Sequence, residues 1–285
     1  MDAGRTGGRG APAPDLAAPA GATAPSTAPA TAPSPPAAPV PLLALRQVSK
    51  FFGAVEALVA VDLEVHAHEV VALVGDNGAG KSTAAKVIAG VLTPDAGQVE
   101  IDGEPVTVGS PSGAHDLGIA TVFQDLALCE NLDVTANLFL GREVHQGLLL
   151  SEGEMETQTR GTLDALSARI PSVRTPLHQL SAGQRQSVAI ARTLIGSPRI
   201  VVLDEPTASL SVVQTAEVLT HIERLRDLGL GVIIISHNMN DVRAVADRIV
   251  VLRHGRVNGT FDAASASYES IIGAITGASH AAPMA

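Results

Sequence analysis

Residues 75–83, with the sequence GDNGAGKST, are the clearest candidate for a chemical site. They match the spacing Gly-x-x-x-x-Gly-Lys-Ser, with an apolar strand pattern before them and a helical pattern after them. In such a loop backbone amides surround phosphate oxygens, Lys81 reaches the β and γ phosphates, and the Ser82 hydroxyl binds magnesium. The residues predicted to hold a nucleotide are Gly75, Asp76, Asn77, Gly78, Ala79, Gly80, Lys81, Ser82 and Thr83.

Two adjacent carboxylates, Asp204 and Glu205, follow the apolar run at residues 200–203. Four consecutive apolar residues are typical of a parallel strand that is buried on both faces. Ligands of open α/β sheets bind beyond the carboxyl ends of such strands. We therefore expect Asp204 to support the magnesium ion and Glu205 to align or deprotonate a water molecule.

Polar side chains follow two further apolar runs. His237 comes after the run at residues 231–235, and Gln124 comes after a short run that ends at Phe123. If both runs are strands of the same parallel sheet, His237 can reach the γ phosphate and Gln124 can contact magnesium or the attacking water. For Gln124 the alternative of a polar cap at a strand end stays open.

The stretch LSAGQ, residues 180–184, has the small residues and the polar start of a helix, yet it contains no metal-ligand set and no acid–base pair. It lies about 100 residues beyond Lys81, in a chain that already has a phosphate loop. Ser181 and the amide of Gly183 could present hydrogen-bond donors to an anion.

The elements that must position these residues alternate between strand and helix. Residues 199–205, 212–229 and 231–236 show a strand, a helix and a strand at the spacing of a parallel crossover unit. Residues 42–53 and 61–75 alternate like half-buried strands, and the second segment ends in a continuous apolar strand, VVALVG, at residues 70–75. Asp102-Gly103 marks a hairpin in a small antiparallel sheet. Residues 134–180 are predicted to be mostly helical. The fold class is therefore α/β.

Composition excludes several classes of protein. The formal net charge of −10 argues against a surface that binds nucleic acid. The single cysteine, Cys129, cannot form an internal disulfide. No apolar run approaches the roughly 20 residues that a membrane-spanning helix needs. Ten of the 18 prolines lie between Pro12 and Pro41, so residues 1–41 are predicted to be a disordered tail.

Taken in order, these motifs resemble the ATP-binding cassette (ABC) ATPase of a membrane transporter. The resemblance runs over about residues 42–277 and includes the phosphate loop, Gln124, LSAGQ, the strand with Asp204 and Glu205, the TASLS loop and His237. It implies a P-loop NTPase fold with a parallel-sheet core, an antiparallel β subdomain and a helical subdomain at about residues 125–185. Residues 278–285 would form a C-terminal tail.

The resemblance also implies roles for residues that spacing alone does not explain. ATP and Mg²⁺ are the expected ligands, and Phe52, rather than its neighbour Phe51, falls where such cassettes stack the adenine ring. In this family LSAGQ caps the ATP held by a second subunit, so Ser181, Gly183 and Gln184 are expected to bind nucleotide across a homodimer. Ala182 stands where the family more often has glycine, and Ser211 stands where many members have aspartate. How the two ATP sites of the dimer communicate is therefore an open question.

Three longer segments, at residues 122–143, 147–155 and 235–256, resemble the ATPase subunits of importers for simple sugars of the ribose and xylose type. The resemblance implies a membrane permease as partner, docked on about residues 125–179, and an extracytoplasmic sugar-binding protein acting indirectly. The subunit would then lie in the cytoplasm, at the inner face of the cell membrane.

Other functions share part of this pattern. An ATPase for a nucleoside or for an exported drug or lipid would carry the same catalytic motifs. Two cassettes in one chain and a basic surface would indicate a cassette protein that acts on ribosomes or DNA, and the sequence shows neither feature. Intact Lys81, Asp204, Glu205 and His237 argue against a regulatory module without hydrolysis.

Overall fold

The computed structural model describes residues 40–147 and 149–278. The predicted tails at residues 1–41 and 278–285 lie almost entirely outside these ranges and stay predictions. The strands are β1 (Leu43–Phe52), β2 (Val55–Val65), β3 (Glu69–Val74), β4 (Ala96–Ile101), β5 (Glu104–Val106), β6 (Ile119–Val122), β7 (His145–Gln146), β8 (Leu149–Leu150), β9 (Ile200–Asp204), β10 (Gly231–Ile235), β11 (Arg248–Arg253) and β12 (Arg256–Asp262). The helices are α1 (Lys81–Ile88), α2 (Pro111–Asp116), α3 (Val134–Phe139), α4 (Glu152–Ala165), α5 (Ala182–Leu194), α6 (Val212–Asp227), α7 (Met239–Val245) and α8 (Tyr268–Thr276).

A six-stranded sheet in the order β12-β11-β3-β10-β9-β6 forms the centre of the molecule. Strands β11, β3, β10, β9 and β6 are parallel, and β12 is antiparallel to β11. The predicted crossover unit is present as β9, α6 and β10. Because parallel strands share a direction, the residues that follow β3, β6, β9 and β10 all emerge at one edge of the sheet.

Strand β3 explains why the sheet needs cover on both faces. Val71 and Leu73 pack in a core that includes β1, β2 and α1, whereas Val70, Ala72 and Val74 pack in a second core with α5, α6, α7 and α8. All five side chains are buried. The continuous apolar run that predicted this strand therefore reflects burial on both faces.

A second sheet, in the order β2-β1-β4-β5, is fully antiparallel. Strands β4 and β5 are joined by Asp102 and Gly103, with φ of 54° and 81°. Two successive residues with positive φ are typical of a type I′ hairpin turn, as the Asp-Gly pair predicted.

The chain between β6 and β9 contains α3, a short hairpin of β7 and β8, α4, a 3-10 turn at Leu177–Gln179, and α5. Arg174 links this segment internally, because it forms ion pairs with Asp133 at the start of α3 and with Glu152 and Glu156 on α4. The segment is mostly helical, and the exact limits of a helical subdomain at residues 125–185 stay a prediction.

Helix α1 is shorter than the helical pattern of residues 82–92. It ends at Ile88, and Gly90 follows with φ of 70°. A Cβ at Gly90 would lie 2.4 Å from the carbonyl oxygen of Ser110. Close packing against the approach to α2 therefore stops the helix at a point that periodicity does not reveal.

None of the helices within residues 40–147 and 149–278 has both the length and the apolar character to span a bilayer.

Candidate functional site

Four predicted motifs meet at the carboxyl edge of the parallel sheet. The phosphate loop follows β3, Asp204 ends β9, His237 lies two residues after β10, and Gln124 lies two residues after β6. Strand β10 lies between β3 and β9, and β6 pairs with the outer side of β9. The strand order thus collects residues that are up to about 160 positions apart in the chain.

The glycines of the phosphate loop are required by close packing. A Cβ at Gly75, where φ is 150°, would lie 2.2 Å from the carbonyl oxygen of Leu252 on β11. A Cβ at Gly80, where φ is 108°, would lie 2.6 Å from the carbonyl oxygen of Ala57 on β2. Both positions need a residue without a side chain, so the loop is fixed by strands from both sheets.

Lys81 is the first residue of α1, and its side chain is directed back into the phosphate loop. Its ammonium donates to the carbonyl oxygens of Gly75 (2.7 Å) and Asp76 (2.9 Å), and the residue is only 8% exposed. The loop therefore encloses a buried positive charge at the start of a helix, where phosphate oxygens are stabilised.

Asp204 is buried at the end of β9 and is close to Ser82. Burial raises the pKa of the Asp204 carboxyl, and the negative charge of Glu205 adds to this effect. The positive charge of Lys81 and a hydrogen bond from Ser82 act in the opposite direction and lower the pKa of Asp204, but the net effect is a raised pKa. Two neighbouring carboxylates, one of them buried, favour the binding of a cation.

The donor set at this point fits magnesium bound together with a phosphate ligand. Mg²⁺ is usually held by one or two carboxylates, hydroxyls and substrate phosphates rather than by a cage of protein ligands. Asp204 and Ser82 supply such oxygens. In residues 40–147 and 149–278 no group of three or more His, Cys, Asp or Glu could hold a metal by itself.

Glu205 and His237 form a direct contact at the sheet edge. The Nδ1 atom of His237 lies 2.9 Å from Oε1 and 2.8 Å from Oε2 of Glu205. The amide of Glu205 donates to the carbonyl of Ile235 on β10, at 2.9 Å, and its φ is 51°. The His237 side chain is 70% exposed and the Glu205 side chain 17%, so the contact opens to solvent on the His237 side.

Gln124 and Phe52 are placed less tightly. Gln124 is exposed in the loop after β6, and Phe52 is exposed at the end of β1, with its ring centroid 5.9 Å from the Lys50 ammonium. Neither side chain has a described contact with the phosphate loop. Their predicted roles toward magnesium and adenine stay predictions.

Ser181, Gly183 and Gln184 form the first turn of α5, which the structure does not bring to the phosphate loop. The Ser181 hydroxyl accepts from the Gln184 amide (3.2 Å), and the Gln184 side chain accepts from the Ser181 amide (3.0 Å), so the two residues form a capping box. Ser181 is exposed, whereas Gly183 is buried against Gln214 of α6.

Arg192 is a residue of this region that no sequence motif indicated. From the last turn of α5 it donates to the carbonyl oxygens of Leu126 (2.8 Å) and Ala127 (2.9 Å), in the loop that follows Gln124. It therefore links the helix that starts at Ser181 to the Gln124 loop. A lone arginine in a helical pattern gives no signal for such a contact.

The sequence matches known proteins over most of its length. The family described as "ABC transporter" matches residues 58–208. The chain is 47% identical to the xylose/arabinose import ATP-binding protein XylG of Sulfolobus acidocaldarius, over 76% of this chain and 86% of that protein. It is 42% identical to the fructose import ATP-binding protein FrcA of Rhizobium meliloti, over 76% of this chain and 86% of that protein.

A third relative is about twice as long as the matching part. The ribose import ATP-binding protein RbsA of Yersinia pestis is 40% identical over 84% of this chain, but the match spans only 47% of that protein.

Solved structures show the same fold. A nucleotide-free ATP-binding cassette of an ABC transporter has a TM-score of 0.72 and 26% identity, covering 83% of this chain and 95% of that one. A dimeric bacterial ABC transporter cassette has a TM-score of 0.67 and 27% identity, covering 78% and 98%. The predicted parallel-sheet core with an antiparallel sheet and a helical segment is confirmed.

Proposed function

Because the chain belongs to the ABC transporter family of ATPases, we propose that it hydrolyses ATP to energise import of a simple sugar through a separate membrane permease. The observation that carries the proposed hydrolysis is the contact between Glu205 and His237 beside the phosphate loop, and the sugar-import relatives at 47% and 42% identity support the substrate class. The contact supplies a carboxylate for a water molecule at the place where the γ phosphate of a bound nucleotide would lie.

The phosphate loop would bind ATP through its amides, and Lys81 would neutralise the β and γ phosphates. The ammonium can leave one or both loop carbonyls for phosphate oxygens, because its three N–H groups rotate about a flexible side chain. Asp204 and Ser82 would hold Mg²⁺, which neutralises phosphate charge when it is bound. Phe52 would stack on the adenine.

Glu205 would orient or deprotonate the attacking water. His237 holds one end of this carboxylate through Nδ1, and its exposed ring can also approach the γ phosphate. The hydrogen bond from the Glu205 amide to Ile235 fixes the carboxylate against β10, next to the loop that ends β3. Gln124, from the outer side of β9, would contact the magnesium or the water.

LSAGQ would act on the nucleotide of a second copy of the chain. Ser181 and Gly183 lie at a helix start that is not in the cluster around Lys81, which supports a role across a homodimer rather than within one subunit. Each ATP would then be bound between the phosphate loop of one subunit and LSAGQ of the other. Hydrolysis would separate the pair, and this movement would be delivered to the permease.

The permease would dock beside the Gln124 loop. A groove of about 260 Å³ lies there, and its lining includes Phe123, Leu138, Arg142 and Arg192. A mixed lining, with apolar side chains beside two arginines, suits an amphipathic cytoplasmic segment of a membrane protein. Because Arg192 also holds the Gln124 loop, movement in the groove can reach the ATP site. An extracytoplasmic sugar-binding protein would deliver substrate to the permease, and this subunit would lie at the inner face of the membrane.

The proposal is tested by sugar uptake in cells that lack this chain. Cells complemented with the wild-type chain are expected to accumulate labelled xylose, ribose or fructose, whereas cells with Glu205→Gln are not. Glu104→Gln makes the same chemical change at an exposed position of β5 and should restore uptake. If the complemented cells take up only a nucleoside, or export a drug or lipid, the transported substrate is that molecule and the sugar proposal is wrong.

A further inference from the structure

Two buried hydrogen bonds of one side chain connect the end of α4 to Ser187 of α5, one turn beyond Gly183. His221 of α6 is 3% exposed, and its Nδ1 lies 2.9 Å from the carbonyl oxygen of Leu166. Its Nε2 lies 2.8 Å from the hydroxyl of Ser187 on α5. That hydroxyl lies 3.0 Å from the carbonyl oxygen of Gly183, within LSAGQ. One imidazole thus joins three helices.

The chemistry of the two ends fixes the state of the ring. A carbonyl oxygen can only accept, so Nδ1 of His221 must carry a proton. Burial lowers the pKa of His221, against the opposing effects of the Leu166 bond and the charge of Glu217, which favours a neutral ring. In the neutral ring Nε2 is an acceptor, so the Ser187 hydroxyl donates its single proton to Nε2 rather than to the Gly183 carbonyl.

His221 also stabilises a helix end. Leu166 follows the last residue of α4, where backbone carbonyls have no partner within the helix. The imidazole N–H supplies that partner from α6. An apolar side chain of similar size would fill the space but would leave the Leu166 carbonyl and the Ser187 hydroxyl buried with one partner fewer.

Helix α6 thus contacts the start of α5 at two levels. At its first turn, Gln214 packs against Gly183, where a Cβ would be only 2.7 Å from the Gln214 Cγ. Two turns later, His221 holds Ser187, one turn beyond Gly183. Helix α6 itself begins shortly after Asp204 and Glu205. The segment that follows Asp204 and Glu205 therefore reaches the LSAGQ turn, proposed to serve the other ATP site, within the first turn of α6.

We propose that His221, acting through Ser187, is a positioning residue that sets the orientation of LSAGQ for the ATP held by the second subunit. This role rests on the proposed function, in which LSAGQ completes the site across the dimer. His221 touches neither the nucleotide nor the reacting atoms.

The test measures ATP-driven dimerisation of the Glu205→Gln chain by sedimentation, together with ATP binding by the dilute monomer. Ser187→Ala and His221→Leu are each expected to weaken dimerisation about tenfold, the effect of one buried hydrogen bond. Binding of ATP by the monomer should stay unchanged, because the phosphate loop is untouched. The double variant should be no weaker than His221→Leu alone, since both remove the same link.

Two controls separate positioning from general loss of structure. Thr193→Val removes another buried hydroxyl of α5, which bonds only within its own helix, to Ile190 (2.6 Å), and should dimerise like the parent. His221→Gln retains a donor and an acceptor and should recover dimerisation to within about threefold of the parent. If His221→Leu does not fold, the role is tested by Ser187→Ala, which should dimerise more weakly, and His221→Gln, which should dimerise nearly like the parent.

Dimerisation of Ser187→Ala and His221→Leu at the parent level would overturn the role, as would losses that multiply in the double variant. A parent chain that never dimerises with ATP would instead overturn the two-subunit site, and the role of His221 with it. The two failures are therefore distinguishable.

Discussion

Glu205 has a left-handed backbone conformation, with φ of 51°, although it is not glycine. Residues with a side chain pay a conformational cost in this region, and such strain is concentrated at functional sites. Two hydrogen bonds hold the conformation, from its own amide to Ile235 and from the Ala208 amide to its carbonyl. In this conformation the Glu205 carboxylate contacts Nδ1 of His237.

Replacing Glu205 by Gln tests the proposed handling of water. The amide can still hydrogen-bond His237 but cannot accept a proton from water, so we expect ATP hydrolysis to fall by roughly 10²–10⁴-fold. Binding of ATP should be retained. Steady-state hydrolysis and equilibrium nucleotide binding by purified protein measure the two effects. Equal loss in the exposed control Glu104→Gln would contradict the assignment.

Asp204→Asn is expected to stabilise the chain in the absence of nucleotide while abolishing Mg²⁺-dependent hydrolysis. Burial and the charge of Glu205 raise the pKa of Asp204, so ionising this carboxyl costs more in the folded than in the unfolded chain. The protonated carboxyl of Asp204 makes its full stabilising contribution below the pKa of the unfolded chain, about 3.9. This contribution is lost as pH rises through the higher pKa of the folded chain. Asn does not ionise, so the Asp204→Asn chain does not lose stability in this way as pH rises.

Urea denaturation of wild type and Asp204→Asn at several pH values measures this difference. Asp204→Asn should be more stable at pH 7, by about 1 kcal/mol, and the advantage should shrink as pH approaches 4. A variant that is less stable than wild type at pH 7 would show that the contacts of the carboxylate with Ser82 and Lys81 outweigh its burial.

The residues at strand ends could be predicted because a local pattern marks them. Lys81 lies in a spaced glycine motif, and Asp204, Glu205 and His237 follow apolar runs. Arg192 and His221 could not be predicted, because each is a single polar residue in an amphipathic helix. Their partners, Leu126 and Leu166, lie 66 and 55 positions away and contact them through backbone carbonyls, which leave no trace in the sequence.

At the scale of secondary structure, α5 and α6 start in the same way. Ser181 with Gln184, and Ser211 with Gln214, each form a capping box. Gln214 also lies against Gly183, so the cap of one helix supports the first turn of the other. Ser211, at the position where the family often has aspartate, is therefore the N-cap of α6.

Gly183→Ala tests how closely the two helices must approach. Alanine favours a helix by up to about 1 kcal/mol over glycine, but the added Cβ would lie 2.7 Å from Gln214 Cγ and 2.9 Å from its Cβ. Overpacking of this kind costs about 1–3 kcal/mol. We expect net destabilisation of about 1 kcal/mol and slower hydrolysis.

The matched experiment adds Gln214→Ala, which removes the nearer of the two contacting atoms. Gln214→Ala alone is the reference, because it already lacks half of the α6 capping box. Relative to it, Gly183→Ala should cost less stability and activity than in wild type, as measured by thermal unfolding and hydrolysis, although the 2.9 Å contact remains. A Gly183→Ala chain as stable and active as wild type would mean that α5 and α6 can separate without consequence for the site.

Elements were predicted best where burial leaves a strong pattern. The strands β3, β9 and β10 lie inside the sheet with helices or strands on each face, so their apolar runs are continuous. The lengths of α1 and of the hairpin β7–β8 depend on contacts such as Gly90 with Ser110, which arise only after folding. Strands β11 and β12 complete the sheet beyond β3, and neither was predicted as a strand from the sequence.

At the scale of the whole molecule, the parts of the proposed site are separate within one chain. Lys81, Asp204, Glu205 and His237 gather at the sheet edge, while Ser181 is exposed at the start of α5 without a described contact to them. In the proposed homodimer, each chain would supply half of each of two sites. The affinity between the two subunits would then depend on bound ATP, because each subunit would contact the nucleotide on one side.

This arrangement predicts that hydrolysis by the purified chain rises faster than linearly with protein concentration at low concentration, because active sites form only in the dimer. The same measurement on Glu205→Gln should give no hydrolysis, and its ATP complex should elute from a sizing column as a dimer that dissociates when ATP is removed. A proportional rate has two explanations, a dimer at all concentrations or an active monomer. The column separates them, since a monomeric ATP complex of Glu205→Gln would contradict the shared site and leave LSAGQ without a nucleotide to bind.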